Sequence, residues 1–377
     1  MELSNHIHRI LRLKEIQLAS HIDAFLFTSP ATIKCFCGYF YNFETGLSPF
    51  QFLPAALVIV PAQFMCIVIA DNESFSPPTF ASDVIIKPYL SYVHEKPLDF
   101  TYQFLIRLYE VFEQNDLTSA HLGIEDNSLP YTIFNSLKSR YPKLRFSNLS
   151  GEIANLKVVK DIDEIEEISK AAVLCDIGQT AVLKYARAGI TELELFSLVS
   201  KEIESFAGTR VPIMADLVSG PRTASGGGIP SNKIIRQGDL ILSDLTPCLN
   251  GYWGDSCNTV VIGEPTQVQR KTFGLINESL DKAIKLIRPG IRASELDRFL
   301  RKHVGNYPHH TGHGIGTTYH EEPRIVSYND MELAPGMVIA LEPGIYKKEY
   351  GIRLEHMVLV TETGYEVLTK SEHSFKV

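Results

Sequence analysis

The sequence predicts a two-domain protein, with an α/β domain over residues 1–155 and an α+β domain over residues 156–377. The chain has 377 residues, and at roughly 150 residues per domain this length suggests two domains. In the first part, short strand-like apolar runs alternate with helical patterns, which is typical of an α/β layer domain. The second part opens with two long helical patterns and then becomes mainly strand-like, which indicates an α+β domain.

Composition and charge exclude several classes of protein. Apolar residues make up 45% and charged residues 21%, as in an ordinary globular protein. The net charge is -8 and no basic stripe is present, which argues against a nucleic-acid partner. The six cysteines form no C-x-x-C pair and mostly lie in apolar runs, which predicts reduced thiols and a cytoplasmic protein. The N-terminus lacks the continuous apolar segment of a secretory signal.

The elements of the first domain follow from apolar periodicity. Helical spacing separates three helices from short runs rich in β-branched and aromatic residues, which predict strands. In chain order the predicted elements are a helix over 2–18, strands over 24–27, 56–60, 64–70 and 83–86, a helix over 102–114, a strand over 121–125 and a helix over 129–140.

One uncharged stretch, residues 52–70, has 19 residues and is nominally long enough to span a bilayer. Pro54 and Pro61 interrupt it, and the pieces on either side are rich in β-branched and aromatic residues. This pattern favours two buried strands joined by a tight turn. We therefore predict no membrane association.

The second domain begins near a charge-rich segment at 157–167, whose acidic residues suit the start of a long helix. Helical patterns follow, and Gly189 is a natural stop for the first of them. The predicted helices cover 162–188, 191–206, 267–286 and 293–304.

A hairpin is predicted around Asn250-Gly251, a pair that strongly favours a two-residue turn. This turn would place Thr246 directly opposite Asp255 and make Asp244 the diagonal neighbour of Asp255. Diagonal neighbours share one face of a sheet, so both carboxylates would point to one spot.

Further ligand-type residues follow in two clusters. A glycine-rich run carries His309, His310 and His313, and His320 comes shortly after it. A turn near 348–349 would place Glu342 and Glu355 on facing strands. Taken singly, each residue has an ordinary explanation as a cap, a surface pair or an ion-pair partner. The joint pattern is much harder to explain by chance, because glycine-rich turns and apolar strands flank every acid.

Four carboxylates and one histidine at one place could not all be ionised without cations between them. Oxygen ligands with one imidazole suit Mn²⁺, Fe²⁺, Co²⁺ or Zn²⁺. Four carboxylates exceed what one such ion usually takes, which suggests two ions roughly 3.5–4 Å apart with an activated water between them.

The runs GYWGDSCNT, GHGIGTTYHEEP, ALEPGIY and GIRLEHMVLVT resemble the signature of the pita-bread metallopeptidases. This family includes aminopeptidase P, prolidase and methionine aminopeptidase, with creatinase as a non-metal relative. The smaller α/β domain ahead of the motifs is typical of the prolidase, aminopeptidase P and creatinase branch. The resemblance therefore implies a creatinase-like N-terminal domain and a pita-bread catalytic domain.

The resemblance also implies a set of metal ligands. Asp255 and Glu355 would bridge two divalent ions, His313 and Glu342 would complete one site, and Asp244 would complete the other. Among the metals that fit, the family favours manganese.

Other roles are implied in the same way. Glu342 would also assist deprotonation of the attacking water. His320 would stabilise the tetrahedral intermediate, and His309 would line the substrate pocket. Tyr346 and Arg353 match positions that support the site and contact the substrate.

Two departures from the family pattern matter. A histidine that contacts substrate and helps to move protons is usual where this chain has Gly227. The glycine predicts either a flexible loop or a pocket enlarged for a different substrate, and Arg222 nearby could hold an acidic substrate group. Cys257 would lie beside the metals, which predicts sensitivity to oxidation.

The leading hypothesis is a dinuclear metal-dependent hydrolase, an Xaa-Pro dipeptidase or aminopeptidase, in which a metal-bridging hydroxide attacks the peptide. The alternative is a pita-bread hydrolase or lyase that acts on a small non-peptide amide or amidine, since the loop histidine is Gly227. A non-enzymatic binding scaffold is the third hypothesis, disfavoured because all five ligands are present. The family also implies a homodimer in which one subunit covers the other's pocket, with 41–46 either at that rim or in an ordinary loop.

Overall fold

The chain divides into two units, Met1–Lys157 and Val158–Val377. The computed structural model describes residues 6–40, 52–53, 55–72 and 83–377, so the segment 41–46 lies outside the described residues. The elements up to the end of the first unit are α1 (His6–Ala19), β1 (Ala24–Phe27), α2 (Pro30–Cys37), β2 (Ala55–Val60), β3 (Phe64–Ala70), β4 (Val84–Tyr89), α3 (Phe100–Gln114), β5 (His121–Ile124), α4 (Tyr131–Arg140), β6 (Arg145–Asn148) and α5 (Ser150–Val158).

The first unit is built on a six-stranded mixed sheet in the order β4-β3-β2-β1-β5-β6. Alternate residues of β1 pack into two different apolar cores, one on each face of the sheet. Leu26 joins the apolar cluster that contains residues of α3 and α4, whereas Phe25 and Phe27 join the cluster that contains residues of α1, α2 and α5. Helices therefore cover both faces of the sheet, and the predicted α/β layer is confirmed.

Strands β2 and β3 form an antiparallel pair within the uncharged stretch, which confirms the two-strand prediction there. Ala62, in the turn between them, has a positive φ of 63°. Among the described residues, no helix combines the length and the apolar character that crossing a membrane would require.

The second unit contains more strands than helices. Its elements are α6 (Ile162–Tyr185), α7 (Glu192–Ala207), β7 (Ile213–Ser219), β8 (Leu240–Leu249), β9 (Tyr252–Trp253), β10 (Ser256–Val261), α8 (Gln267–Ile284), α9 (Ala293–Val304), β11 (Gly312–Gly314), β12 (Glu321–Ile325), β13 (Val338–Leu341), β14 (Gly344–Tyr346), β15 (Gly351–Arg353), β16 (His356–Val360) and β17 (Tyr365–Val367).

Two sheets and a short ladder form the frame of this unit. One sheet has the order β10-β8-β7, with β9 paired to β8, and shares an apolar core with α6 and α7. The other has the order β12-β11-β13-β16-β17, and its core includes residues of α8 and α9. Strands β14 and β15 form the short ladder. The α+β prediction for this part of the chain is confirmed.

Some element predictions were incomplete. Helix α2 was not predicted, although Pro30 in its first turn and Gly38 in the left-handed conformation at its end are both helix-boundary signals. Strand β6 and helix α5 were also not predicted. Helix α6 ends at Tyr185 because Ala186 is already extended, so Gly189 is not the stop that the sequence suggested.

Candidate metal centre

The hairpin between β8 and β10 carries Asp244 and Asp255. Asn250 and Gly251 both have positive φ, 52° and 84°, as a tight two-residue turn requires. One register runs through the pairing of β8 with β9 and with β10, and it puts Thr246 opposite Asp255. Thr246 Oγ1 donates a hydrogen bond to Asp255 Oδ1 at 3.0 Å. The predicted register of this hairpin is confirmed.

A second hairpin carries Glu342 and Glu355. The ladder of β13 with β16 and the ladder of β14 with β15 share one register, and both glutamates lie in the gap between the ladders. Their backbone N–H groups bond outside this hairpin: Glu342 donates to Thr311 O at 2.9 Å and Glu355 donates to Cys257 O at 2.9 Å. The second bond attaches this hairpin to β10, beside Asp255.

His313, on β11, completes the group. Its Nε2 lies 3.6 Å from Asp255 Oδ2 and 3.8 Å from Glu342 Oε1. Ligand atoms of Asp255, His313 and Glu355 all lie within 4.8 Å of one another. Nδ1 of His313 lies 3.0 Å from Gly314 O, which orients the ring and leaves Nε2 directed at the carboxylates.

Burial controls the protonation of these groups. It lowers the pKa of His313 to about 4, so the imidazole is neutral at neutral pH, as metal ligation requires. It raises the pKa of Asp255 and Glu355, and the neighbouring carboxylates raise them further. Burial acts in the same direction on Glu342, but a hydrogen bond from His310 and the charge of Arg353 outweigh it and lower the pKa to about 2.

The donor set fits divalent cations. Glu355 Oε2 is buried and has no hydrogen-bond partner among the described residues. Arg353 pairs with Asp244 and lies near Glu342, but the neighbouring carboxylates still raise the pKa of Asp255 and Glu355 beside a neutral imidazole. A hard or borderline divalent ion would supply the positive charge that these two carboxylates lack.

A cavity of about 450 Å³ opens above the carboxylates. Asp244, Asp255, His313, Glu342 and Glu355 all line it. Its other walls carry Thr246, Asp216, His320, Tyr319, Ala215 and the apolar side chains Phe196, Ile213, Met214, Ile229 and Pro230. All five predicted ligands therefore meet at one open cavity.

The other predicted site residues fall into two groups, one in the cavity wall and one behind the carboxylates. His320 lines the cavity. His309, Tyr346 and Arg353 are not among the described lining residues; they lie behind the carboxylates. His309 Nε2 lies 2.8 Å from Tyr346 OH, and Arg353 donates to Gly226 O at 2.7 Å and also to the carboxylate of Asp244.

Sequence reasoning missed two residues of this region. His310 Nε2 lies 2.8 Å from Glu342 Oε1, although only His309 of the histidine pair was assigned a role. Asp216 lines the cavity from β7, and it was missed because a single acid in a strand gives no local signal of a site.

The glycine loop corrects two expectations. A Cβ at Gly227 would lie 1.8 Å from Asp216 Oδ2, so the Asp216 carboxylate fills this space and the glycine does not enlarge the pocket. The loop is hydrogen-bonded to β7, since Gly228 N–H donates to Asp216 Oδ1 at 2.8 Å. Arg222 donates to Ser231 Oγ at 2.8 Å and pairs with the buried Glu192, so its guanidinium is already engaged and does not line the cavity.

Cys257 is buried beside Arg353, and its thiol donates to Arg353 O at 3.7 Å. Burial raises the pKa of this thiol well above its usual value. Because oxidation proceeds through the thiolate, this environment argues against the sensitivity that the sequence suggested. Each of the six cysteines is free and buried, which agrees with the predicted reduced thiols.

Buried carboxylates and a neutral histidine under an open cavity form a site suited to divalent metal ions. Residues 166–362 match the model of metallopeptidase family M24, and residues 9–159 match the creatinase/prolidase N-terminal domain. The chain therefore belongs to metallopeptidase family M24.

Relatives and solved structures agree with this assignment. The Xaa-Pro dipeptidase of Pyrococcus furiosus is 34% identical over 272 residues, which are 70% of this chain and 77% of that protein. The prolidase structure from Pyrococcus horikoshii superposes with a TM-score of 0.80 at 26% identity, covering 98% of this chain and 99% of the other. The Xaa-Pro dipeptidase structure from Bacillus anthracis gives 0.83 at 25% identity, with 99% and 100% covered.

Proposed function

We propose that this metallopeptidase is an Xaa-Pro dipeptidase or aminopeptidase, which releases the first residue of a short peptide. The observation that carries the proposal is the convergence of two carboxylate pairs and His313 at the floor of one cavity. The name Xaa-Pro dipeptidase of two Pyrococcus relatives, each 34% identical to this chain, supports the substrate class.

The metal ligands in this proposal are Asp244, Asp255, His313, Glu342 and Glu355. By the family resemblance, Asp255 and Glu355 would be shared between the two ions. The Glu355 N–H bond to Cys257 O holds their two hairpins together. When bound, divalent ions supply Lewis-acid activation of water and of the scissile carbonyl. Manganese suits a set with four carboxylates and one imidazole.

The remaining residues act through their own groups. Burial acts to raise the pKa of Glu342, but His310 and Arg353 lower it, so Glu342 is ionised at neutral pH. In this proposal its carboxylate takes the proton of the attacking water. His320 lines the cavity, and in this proposal it donates a hydrogen bond to the oxyanion. His309 and Tyr346 contact each other behind Glu342, and Arg353 holds the carboxylate of Asp244. These three residues position the ligands and thereby support substrate binding.

A second candidate function is hydrolysis or lysis of a small non-peptide amide or amidine. The observation that favours it is the replacement of the usual loop histidine by Gly227, beside which Asp216 places a carboxylate. Homodimerisation and a cytoplasmic location stay predictions from the family resemblance and the reduced cysteines.

The test is metal content together with turnover. The purified protein is reconstituted with Mn²⁺, Co²⁺, Zn²⁺ or Fe²⁺ and assayed with Ala-Pro, Met-Ala and an Xaa-Pro tripeptide. We expect metal-dependent cleavage of the proline substrates and a loss of about a thousandfold in Glu342→Ala. Glu349→Ala is the matched control, since Glu349 is exposed in the turn of the same hairpin.

Each alternative gives a different result in this assay. Cleavage of Met-Ala alone would contradict the proline preference. Two bound metals without cleavage of any peptide would favour the non-peptide amide. Failure to bind metal would contradict the ligand assignment itself.

A further inference from the structure

Asp216 places a carboxylate in the cavity wall that the proposed ligand set does not use. It pairs directly with Asp244 across β7 and β8, and directly paired residues project from the same face of a sheet. Its side chain is 39% exposed, against 16% for Asp244. Asp216 is therefore more open to a bound substrate than the Asp244 carboxylate beside it.

The glycine loop, at Gly227 and Gly228, fixes the position of the Asp216 carboxylate. Gly228 N–H donates to Asp216 Oδ1 at 2.8 Å, and the other oxygen, Oδ2, occupies the space where a side chain at position 227 would begin. A Cβ there would come within 1.8 Å of Oδ2. Asp216 can adopt this orientation only because residue 227 is glycine.

The charge of Asp216 is not cancelled by a partner of its own. Arg353 Nη2 lies 3.5 Å from Asp216 Oδ2, but the same nitrogen makes its closer contact with Asp244. Apart from Asp216 itself, the lining residues of β7 and of the segment after the glycine loop are uncharged, namely Ile213, Met214, Ala215, Ile229 and Pro230. An exposed carboxylate beside apolar side chains is suited to pair with a cation that enters the cavity.

We propose that Asp216 is a specificity residue that binds a positively charged nitrogen of the substrate beside the bond to be cut. The proposal rests on the proposed peptidase function, in which two sources supply such a nitrogen. One is the N-terminal ammonium of the peptide, and the other is a cationic side chain of its first residue. The glycine at 227 is the change that makes room for this contact.

The first experiment compares turnover of matched substrates by the metal-loaded protein. Lys-Pro and norleucine-Pro differ in the side-chain cation, whereas norleucine-Pro and N-acetyl-norleucine-Pro differ in the terminal ammonium. We expect wild type to have the higher kcat/KM for the member of one pair that carries the additional positive nitrogen. Asp216→Asn should reduce the ratio of kcat/KM within that pair by about fivefold. Ratios are compared within each variant, so a general loss of activity cancels. Glu349→Gln removes a distant exposed charge and serves as the control.

The second experiment measures binding without turnover. Lysinamide, norleucinamide and N-acetyl-norleucinamide repeat the same two comparisons by calorimetric titration of the metal-loaded protein. In one of the two pairs, we expect Asp216→Asn to weaken binding of the probe with the additional positive nitrogen about fivefold relative to the partner that lacks it. This result stands even if no peptide is cleaved, so failure of the proposed function and failure of this inference are distinguishable.

A third variant tests the link to Gly227. Gly227→Ala would displace the Asp216 carboxylate, so it should reduce the cationic preference with Asp216 still present. The same substitution in an Asp216→Asn background should have little further effect on the ratio, because the two changes remove one interaction. Unchanged ratios for both pairs in Asp216→Asn, or additive effects in the double variant, would overturn the proposal.

Discussion

Thr246 and Asp255 face each other across the first hairpin, joined by a hydrogen bond of 3.0 Å from Thr246 Oγ1 to Asp255 Oδ1. The other oxygen, Asp255 Oδ2, is the one that lies 3.6 Å from His313 Nε2. The threonine therefore fixes the carboxylate so that one oxygen is held by the protein and the other is directed at the metal centre.

Substituting Thr246 tests this orientation. Thr246→Val keeps the shape but removes the donor, and we expect metal affinity to fall about tenfold, as is usual when a residue that orients a ligand is lost. Calorimetric titration with Mn²⁺ measures the change. Thr246→Ser retains a hydroxyl and should bind metal nearly as wild type does; equal weakening in both variants would contradict the role of the hydrogen bond.

Removing the metal should destabilise the second unit. Without metal ions, the buried carboxylates of Asp255, Glu342 and Glu355 lie close together beside the half-buried Asp244. A ligand bound only by the folded state adds stability. We expect treatment with EDTA to abolish activity and to lower Tm by about 5 °C or more, and Mn²⁺ to restore both. In the Asp255→Asn variant, adding Mn²⁺ after EDTA should change Tm little. A Tm independent of metal in wild type would argue against a tightly bound ion.

The ion pair between Lys160 and Glu321 should be a strong determinant of stability. The two charged groups are 2.6 Å apart, with side chains only 1% and 5% exposed. Glu321 also accepts bonds from Thr317 Oγ1 and Thr318 N–H, in the loop that leads to His320. Lys160→Met leaves a buried carboxylate without its cation, and we expect the free energy of unfolding to fall by about 3 kcal/mol.

Urea denaturation measures this change. The double variant with Lys160→Met and Glu321→Gln removes both charges and should recover part of the loss. A loss in the double variant as large as the sum of the two single losses would show that the pair does not act as a unit.

Glu125 should make the stability of the first unit dependent on pH. Burial raises the pKa of this carboxyl, and its Oε2 has no hydrogen-bond partner among the described residues. A raised pKa means that folding favours the protonated form, so the contribution of Glu125 to stability is present at acid pH and is lost as pH rises through the folded pKa. Glu125→Gln should therefore raise the free energy of unfolding at pH 8, by about 1 kcal/mol, and change it little at pH 4.

Denaturant unfolding at the two pH values tests this expectation. Glu152→Gln, at an exposed glutamate of α5, is the control and should change stability by less than about 0.5 kcal/mol at both. A larger gain for Glu125→Gln at pH 4 than at pH 8 would reverse the assigned direction.

The sequence by itself determined the two hairpins that carry the carboxylates. Asn250-Gly251 specifies a two-residue turn, and the turn fixes which residue faces Asp255. In the same way, the turn after β14 sets Glu342 against Glu355. Register was predictable because side chains alternate with a period of two, so a local turn decides the face on which every residue of the hairpin projects.

Only the tertiary structure decided what surrounds those carboxylates. Arg353 and Asp216 are 137 residues apart in the sequence, yet their side chains meet beside the ligands. Neither this contact, nor the filling of the Gly227 space, nor the bond of His310 to Glu342 has a local pattern in the sequence. Each depends on how separate strands pack against one another, and contacts between distant segments are set by the packing of the whole unit rather than by the propensity of any one segment.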